Sequence, residues 1–125
     1  MANELILIVE DNEKNLKLTR DVLRFHGFRT IEAPDGETGV RLAAEQLPAL
    51  ILMDIQMPGI DGIEALRRIR AAEATADIPT VALTASVMSG DRERFDAAGF
   101  DGFIAKPIDI KSFPDQVRSH LERKR

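Results

Sequence analysis

Five polar residues stand directly after four apolar runs of the chain: Glu10, Asp11, Asp54, Thr84 and Lys106. Carboxylates that are packed together repel one another, and each raises the pKa of its neighbours. A hard cation with oxygen ligands, such as Mg²⁺, would relieve this repulsion. A carboxylate nucleophile, a metal ion, a lysine cation and a hydroxyl that donates to an oxyanion are the parts that phosphoryl transfer requires.

Asp54 is the predicted reactive group, because it closes the apolar run Ile51–Met53 and a turn-rich segment, Ile55–Gly62, follows at once. An apolar run of this length, bounded by turn signals, is typical of a strand that is buried on both faces. Ligands bind at the carboxyl ends of the strands in an open parallel sheet. We therefore expect Asp54 to lie at the ligand-binding edge.

Glu10 and Asp11 follow Leu5–Val9, which is predicted to be a central buried strand. Their position allows two interpretations. In one, both carboxylates belong to the reactive edge of the sheet. In the other, this is an acidic turn in which Asp11 or Asn12 caps the next helix.

The elements that must position these residues form a regular alternation of strands and helices. Strands are predicted at Leu5–Val9, Phe28–Ala33, Ile51–Asp54, Thr80–Thr84 and Phe100–Ala105, and each is followed by a helical pattern. Parallel strands need such crossovers. The sequence therefore predicts an α/β fold of the (βα)5 type, with a doubly wound, five-stranded parallel sheet between two layers of helices.

The helical patterns also predict which side chains face the core. Leu18, Val22 and Phe25 are predicted to face inward from the first helix, and Ala44 and Leu47 are among the inward residues predicted for the second, Glu37–Leu47. A loop is predicted over Ala85–Gly90, with the fourth helix beginning at Asp91.

The last helix contains a proline, Pro114. Proline is tolerated in the first turn of a helix but removes a backbone hydrogen bond from its interior. The regular helix is therefore predicted to begin near Ser112 or Phe113.

Composition excludes several classes of protein. The 125 residues suit one domain, 44% are hydrophobic and 30% are charged, and the net charge of −4 argues against non-specific nucleic-acid binding. Cysteine is absent, so thiolate catalysis is excluded, and His26 and His120 fall within helical patterns as ordinary helix residues. No apolar run approaches the roughly 20 residues of a membrane span, and no signal peptide is evident. A cytoplasmic protein without a membrane or nucleic-acid partner is expected.

Four motifs together resemble the receiver domain of response regulators, the phosphoacceptor module of two-component signalling. They are Val9–Asn12, Met53–Gly62, Leu83–Ala85 and Lys106–Pro107. The resemblance covers essentially all of residues 1–125, and it implies a flavodoxin-like or CheY-like fold with strand order 2-1-3-4-5. It also implies one receiver domain with no effector domain, most similar to stand-alone receivers of the DivK kind and to the receivers of hybrid kinases.

The resemblance further implies a role for each residue of the site. Asp54 would accept a phosphoryl group from a phosphohistidine on a sensor histidine kinase or a histidine phosphotransfer protein. Mg²⁺, or Mn²⁺ in its place, would be held by Glu10, Asp11, Asp54 and the backbone carbonyl of Gln56, with Asp11 binding more directly than Glu10. Lys106 would pair with Asp54 and then with the phosphoryl group.

The output of the domain is implied in the same way. Thr84 would hydrogen-bond a phosphoryl oxygen and move inward, and Phe103 would be the switch aromatic residue. A downstream protein would then bind the face formed by the fourth helix, fifth strand and fifth helix. The Lys106–Pro107 bond is expected to be cis, and Gln56 and Ser86 occupy positions that tune dephosphorylation. The domain would thus be a switch that catalyses only its own phosphorylation and slow dephosphorylation.

Three other functions are compatible with parts of the pattern. A phosphohydrolase with a nucleophilic aspartate commonly needs a second acid two residues later, where this chain has Gln56. A flavodoxin-like cofactor binder would need a phosphate-binding loop after the first strand, where Glu10 and Asp11 stand. A degenerate receiver would bind partners without phosphorylation, although all five key positions are filled here.

Overall fold

The computed structural model describes residues 3–85 and 89–122, and the side chains of all of these except residues 89–92. Within these residues the strands are β1 (Leu5–Val9), β2 (Arg29–Ala33), β3 (Leu50–Asp54), β4 (Thr80–Thr84) and β5 (Gly102–Ala105). The helices are α1 (Glu13–Phe25), α2 (Gly36–Gln46), α3 (Gly62–Ala71), α4 (Ser89–Ala98) and α5 (Phe113–Glu122). All strand pairs are parallel, in the order β2-β1-β3-β4-β5. The predicted fold and strand order are confirmed.

The central strands are apolar throughout because they are buried on both faces. Successive side chains of a strand point to opposite faces of the sheet. In β1, Leu7 and Val9 pack in one core cluster while Ile6 and Ile8 pack in the other. Each face of the sheet thus has its own hydrophobic core.

The two cores are covered by different helices. One contains Val22 and Leu23 of α1 with Phe113 of α5, and the other contains Ala43 of α2 with Leu66 of α3 and residues of α4. This division gives the predicted three-layer sandwich. Among the residues that the structure describes, no helix is both long enough and apolar enough to cross a bilayer.

Side-chain caps begin three helices within the part of the chain that the structure describes. Asn12, Asp35 and Asp61 each precede a helix, and each accepts a hydrogen bond from the backbone N–H three residues later, at 3.0, 2.7 and 2.9 Å. Such caps satisfy N–H groups that have no partner within the helix. Asn12 is therefore the cap of α1, and Asp11 is not used for this purpose.

The predicted inward face of α1 was partly wrong. Val22 is buried, but Leu18 is exposed and Phe25 is 86% exposed, while Thr19 and Leu23 are buried. Thr19 can be buried because its hydroxyl donates to the carbonyl oxygen of Asn15 at 2.8 Å. Threonine is polar by hydropathy, so a stripe drawn through apolar residues alone passes over Thr19 and reaches the exposed Phe25.

The end of α2 also departs from its prediction. Ala44 and Leu47 are exposed rather than inward, and Leu47 is the C-cap, with a left-handed backbone conformation at φ 47° and ψ 62°. This conformation is usual at a helix end, although it favours glycine or asparagine. The chain can then turn from α2 toward β3.

The last two helices begin close to their predicted positions. α4 begins at Ser89, two residues earlier than the predicted Asp91, and part of the predicted loop is therefore helical. α5 begins at Phe113, so Pro114 lies in its first turn as predicted. The missing N–H of Pro114 therefore falls among groups that the helix leaves unpaired in any case.

Candidate functional site

The carboxyl ends of four strands meet at one edge of the sheet and bring the predicted residues together. Val9 is in register with Met53, so Glu10 and Asp54 follow neighbouring positions of β1 and β3. Thr84 is in register with Ala105, which Lys106 follows.

Three carboxylates form the acidic part of this site. Glu10, Asp11 and Asp54 each offer one oxygen, and these atoms all lie within 4.8 Å of one another. Glu10 is 1% and Asp54 3% exposed, whereas Asp11 is exposed. Oxygen donors in this number, with one side open to water, suit Mg²⁺, which keeps several waters when it binds to proteins.

Lys106 neutralises two of these carboxylates. Its Nζ lies 3.1 Å from Glu10 Oε1 and 3.1 Å from Asp54 Oδ1. The pair with Asp54 was expected, but the pair with Glu10 was not. Glu10 and Lys106 are 96 positions apart, on strands that are not neighbours, and no local pattern in the sequence reports such a contact.

Both carboxylate oxygens of Glu10 therefore have partners. Oε1 pairs with Lys106, and Oε2 accepts a hydrogen bond from the backbone N–H of Asn12 at 3.2 Å. Asp11, the exposed member of the cluster, is the better placed of the two for direct coordination of a cation.

The electrostatics of the site follow from burial and from these neighbours. Burial, then the hydrogen bond and the charge of Glu10, raise the pKa of Asp54, and Lys106 partly opposes this rise. Burial alone would lower the pKa of Lys106, but the charges of Asp54 and Glu10 outweigh it, and the pKa of Lys106 is raised. Lys106 therefore stays a cation, and a proton or a second cation at Asp54 is favoured.

The segment between β3 and α3 folds back over the end of β3. The N–H of Gly62 donates to the carbonyl oxygen of Ile55 at 3.0 Å, and the N–H of Gln56 donates to Asp54 Oδ1 at 3.3 Å. A Cβ at Gly62 would lie 2.5 Å from the carbonyl oxygen of Asp54. Only glycine permits this close approach. This role of Gly62 was not predicted, although the Asp61–Gly62 pair at a helix start could have signalled it.

Backbone bonds hold the far side of the site. The N–H of Lys106 donates to the carbonyl oxygen of Thr84 at 2.8 Å, which joins the ends of β4 and β5. The Lys106–Pro107 peptide bond is cis, as the resemblance implied. Thr84 is buried, and Phe103 is partly buried against the core cluster that contains Phe95. Ser86 lies outside the described residues.

An apolar surface lies beside the site, on α1 and on the segment after β5. An open groove of about 250 Å³ is lined by Asp21, Val22, Phe25, His26 and Ile110. A second, water-sized cavity lies next to Lys106, and its lining also includes Leu18 of α1 and Ile108. We call the exposed side chains of Leu18, Phe25 and Ile110 the α1 patch.

Residues 6–118 match the family model for the response regulator receiver domain. The chain belongs to this family. It is thus a receiver of the kind that two-component systems use as a signalling switch.

Curated relatives agree with this assignment. The polar-differentiation response regulator DivK of Brucella ovis is 41% identical over 116 residues, which make up 93% of this receiver and 94% of the relative. The protein of the same name from Brucella anthropi is 40% identical over the same shares of the two chains.

Solved structures share the fold. The receiver domain of the sensor histidine kinase PA1611 from Pseudomonas aeruginosa is 37% identical, with a TM-score of 0.89 over 98% of this receiver and 100% of that chain. That structure has a magnesium ion coordinated in its active site cleft. A putative response regulator from Chloroflexus aurantiacus is 28% identical, with a TM-score of 0.90 over 97% and 99% of the two chains.

Proposed function

We propose that this receiver is a phosphoryl-accepting switch of a two-component phosphorelay and that Asp54 is the acceptor. The observation that carries the proposal is the position of Asp54. Its carboxylate is buried at the end of β3, 3.1 Å from the Lys106 ammonium and within one acidic cluster with Glu10 and Asp11.

The reaction is a transfer between two side chains. A carboxylate oxygen of Asp54 attacks the phosphorus of a phosphohistidine on a sensor histidine kinase or a histidine phosphotransfer protein. The new O–P bond gives an acyl phosphate, the P–N bond breaks, and its electron pair returns to the imidazole nitrogen. Lys106 stabilises the charge that develops on the phosphoryl oxygens, because its ammonium already lies against Asp54.

The donor set fits Mg²⁺, or Mn²⁺ in its place. Glu10, Asp11, Asp54 and the backbone carbonyl of Gln56 would hold the ion, with Glu10 acting less directly because both of its oxygens are already paired. When bound, the ion supplies positive charge to the transferred phosphoryl group.

Residues of β4 and β5 then respond to the phosphoryl group. Thr84 stands at the end of β4 and donates a hydrogen bond to a phosphoryl oxygen, which draws the adjoining loop inward. Phe103 lies on β5, partly buried, and repacks with the face of α4, β5 and α5. A downstream protein binds that face. An acyl phosphate thus biases an equilibrium between two arrangements of the face.

The α1 patch is proposed as the surface that receives the phosphohistidine donor. Phe25 and Ile110 are exposed around an open groove, and Leu18 extends the patch to the cavity beside Lys106. An apolar helix surface on the donor, next to its histidine, would cover this patch and so direct the phosphoryl group toward Asp54. Exposed aromatic side chains are frequent anchors of such interfaces.

We further propose that the receiver acts in the cytoplasm as a stand-alone domain and does not turn over a separate small substrate. The stand-alone part of this proposal is supported by the near-complete coverage in both directions between this chain and the DivK relatives. Its output would then be a change of protein partner.

Mass spectrometry after incubation with acetyl phosphate and Mg²⁺ tests the proposal. The wild type is expected to gain the mass of one phosphoryl group, and Asp54→Asn is expected to gain none. Asp61→Asn is a matched control, because asparagine caps a helix as well as aspartate does. Absence of a gain in the wild type, or an equal gain in Asp54→Asn, would exclude Asp54 as the acceptor and favour a receiver that works without phosphorylation.

A further inference from the structure

A partly buried ion pair joins several segments at the edge of the sheet opposite the phosphoacceptor site. Arg70, near the end of α3, donates from one nitrogen to the carbonyl oxygens of Ala76 (3.2 Å) and Ile78 (2.7 Å). Its other terminal nitrogen donates to the carbonyl oxygen of Gly99 (3.3 Å) and to Asp101 Oδ2 (3.0 Å). We call Arg70 and Asp101 the Arg70 clamp.

Asp101 extends the clamp to the first residue of β4. Its Oδ2 accepts a hydrogen bond from the N–H of Thr80 at 2.8 Å, and its own N–H donates to the carbonyl oxygen of Thr80 at 2.9 Å. Asp101 also directly precedes β5. The clamp therefore holds the amino ends of both strands whose carboxyl ends carry Thr84 and Lys106.

The same clamp holds the C-terminal end of α4. Among the α4 side chains that the structure describes, Phe95 is the buried one, and it meets Phe100 edge-on with ring centroids 6.2 Å apart. The N–H of Phe100 donates to the carbonyl oxygen of Phe95 at 3.2 Å. Together with the bond from Arg70 to Gly99, these contacts fix the end of α4 to the core.

The clamp differs from the other ion pairs of α3. The side chains of Arg70 and Asp101 are only 17% and 24% exposed, so solvent screens their charge-assisted hydrogen bonds weakly. Arg68 instead pairs with Glu64 on the surface of the same helix. Arg70 thus makes a tertiary connection, while Arg68 makes a local one.

We propose that the Arg70 clamp is the fixed end of the switch. A strand that is displaced at one end can slide or tilt as a whole unless its other end is held. With the amino ends of β4 and β5 and the end of α4 fixed, a displacement that begins at Thr84 is confined to the opposite ends of these elements. This inference rests on the proposed function, because the displacement requires phosphorylation.

Hydrogen exchange tests the inference with two variants and a control. Arg70→Lys keeps the charge but removes the paired donors, and Asp101→Asn keeps an acceptor for Thr80 but removes the charge. Arg68→Lys is the matched control. Exchange at residues 93–105 is measured for each protein before and after phosphorylation by acetyl phosphate and Mg²⁺.

In the wild type and Arg68→Lys, we expect phosphorylation to leave the exchange of the Gly99, Phe100 and Asp101 amides unchanged. In Arg70→Lys, the displacement that begins at Thr84 is no longer confined, so phosphorylation should accelerate exchange at these amides by about tenfold. The free energy of a lost charge-assisted hydrogen bond is larger than a tenfold change in exchange requires. Asp101→Asn should show a smaller acceleration in the same direction.

Two results would overturn the inference. One is a wild type whose phosphorylation already changes exchange at Gly99 and Phe100. The other is an Arg70→Lys protein that is less stable but responds to phosphorylation as the wild type does, which would make the clamp purely structural. Failure of the wild type to become phosphorylated would instead refute the proposed function, so the two failures are distinguishable.

Discussion

Replacing Lys106 with methionine probes the charge balance of the site directly. Methionine keeps much of the apolar stem and removes the ammonium that lies 3.1 Å from both Glu10 and Asp54. Both carboxylates are almost fully buried. Removal of one partner from a buried ion pair costs about 3–5 kcal/mol. For a domain whose free energy of unfolding is of the order of 5–15 kcal/mol, this is a large fraction.

The expected loss of stability depends on pH. The pKa of Asp54 is already raised in the folded protein, and removal of Lys106 takes away an interaction that lowers it. Above this folded-state pKa, the ionised carboxylate destabilises the fold. As the pH falls through the folded-state pKa toward the unfolded value of about 4, a proton neutralises the group and the penalty disappears. The difference between the variant and the wild type should therefore be largest at neutral pH and shrink on acidification.

Urea unfolding in EDTA, at neutral pH and again in acid, measures this difference. Lys111→Met is the control, because Lys111 is exposed and should change stability by only a few tenths of a kcal/mol. Saturating Mg²⁺ should recover part of the loss, since a cation again lies among the carboxylates. A loss below about 1 kcal/mol at neutral pH, or an equal loss in acid, would refute the argument that Lys106 neutralises buried charge.

Three further substitutions test other parts of the structure. Gly62→Ala should lower the free energy of unfolding by about 1–3 kcal/mol and reduce phosphorylation by acetyl phosphate, because the added Cβ would meet the backbone of Asp54 and Ile55. A wild-type free energy of unfolding together with wild-type phosphorylation would contradict this packing. Leu47→Asn should raise the free energy of unfolding by about 0.5–1 kcal/mol in urea titrations, because Leu47 is 55% exposed and has a left-handed backbone conformation. A loss of stability would show that the contacts of the leucine side chain contribute more to stability than the backbone strain costs. Phe25→Ser should leave stability within about 0.5 kcal/mol of the wild type, because Phe25 is exposed. It should also slow phosphotransfer from a cognate histidine donor by about tenfold but leave phosphorylation by acetyl phosphate at the wild-type rate. A wild-type rate of transfer from the histidine donor would argue against the α1 patch as the docking surface.

Much of the fold could be predicted because its signals are local. Ile51–Met53 reads as a buried strand from its composition alone, and turn residues separate each strand from the next helix. The inward face of α1 could not be predicted in the same way. Burial of Thr19 depends on a hydrogen bond to the preceding turn of the helix, and hydropathy gives no weight to that bond.

The candidate site was likewise predictable only in part. The sequence by itself determined which chemical groups stand at the carboxyl ends of the strands, because parallel strands connected by helices must all end at the same edge. Only the tertiary structure decided how those groups are paired. Lys106 pairs with both Glu10 and Asp54, and Gly62 lets the loop close on β3. Both contacts depend on distances across the sheet, which the order of residues along the chain does not specify.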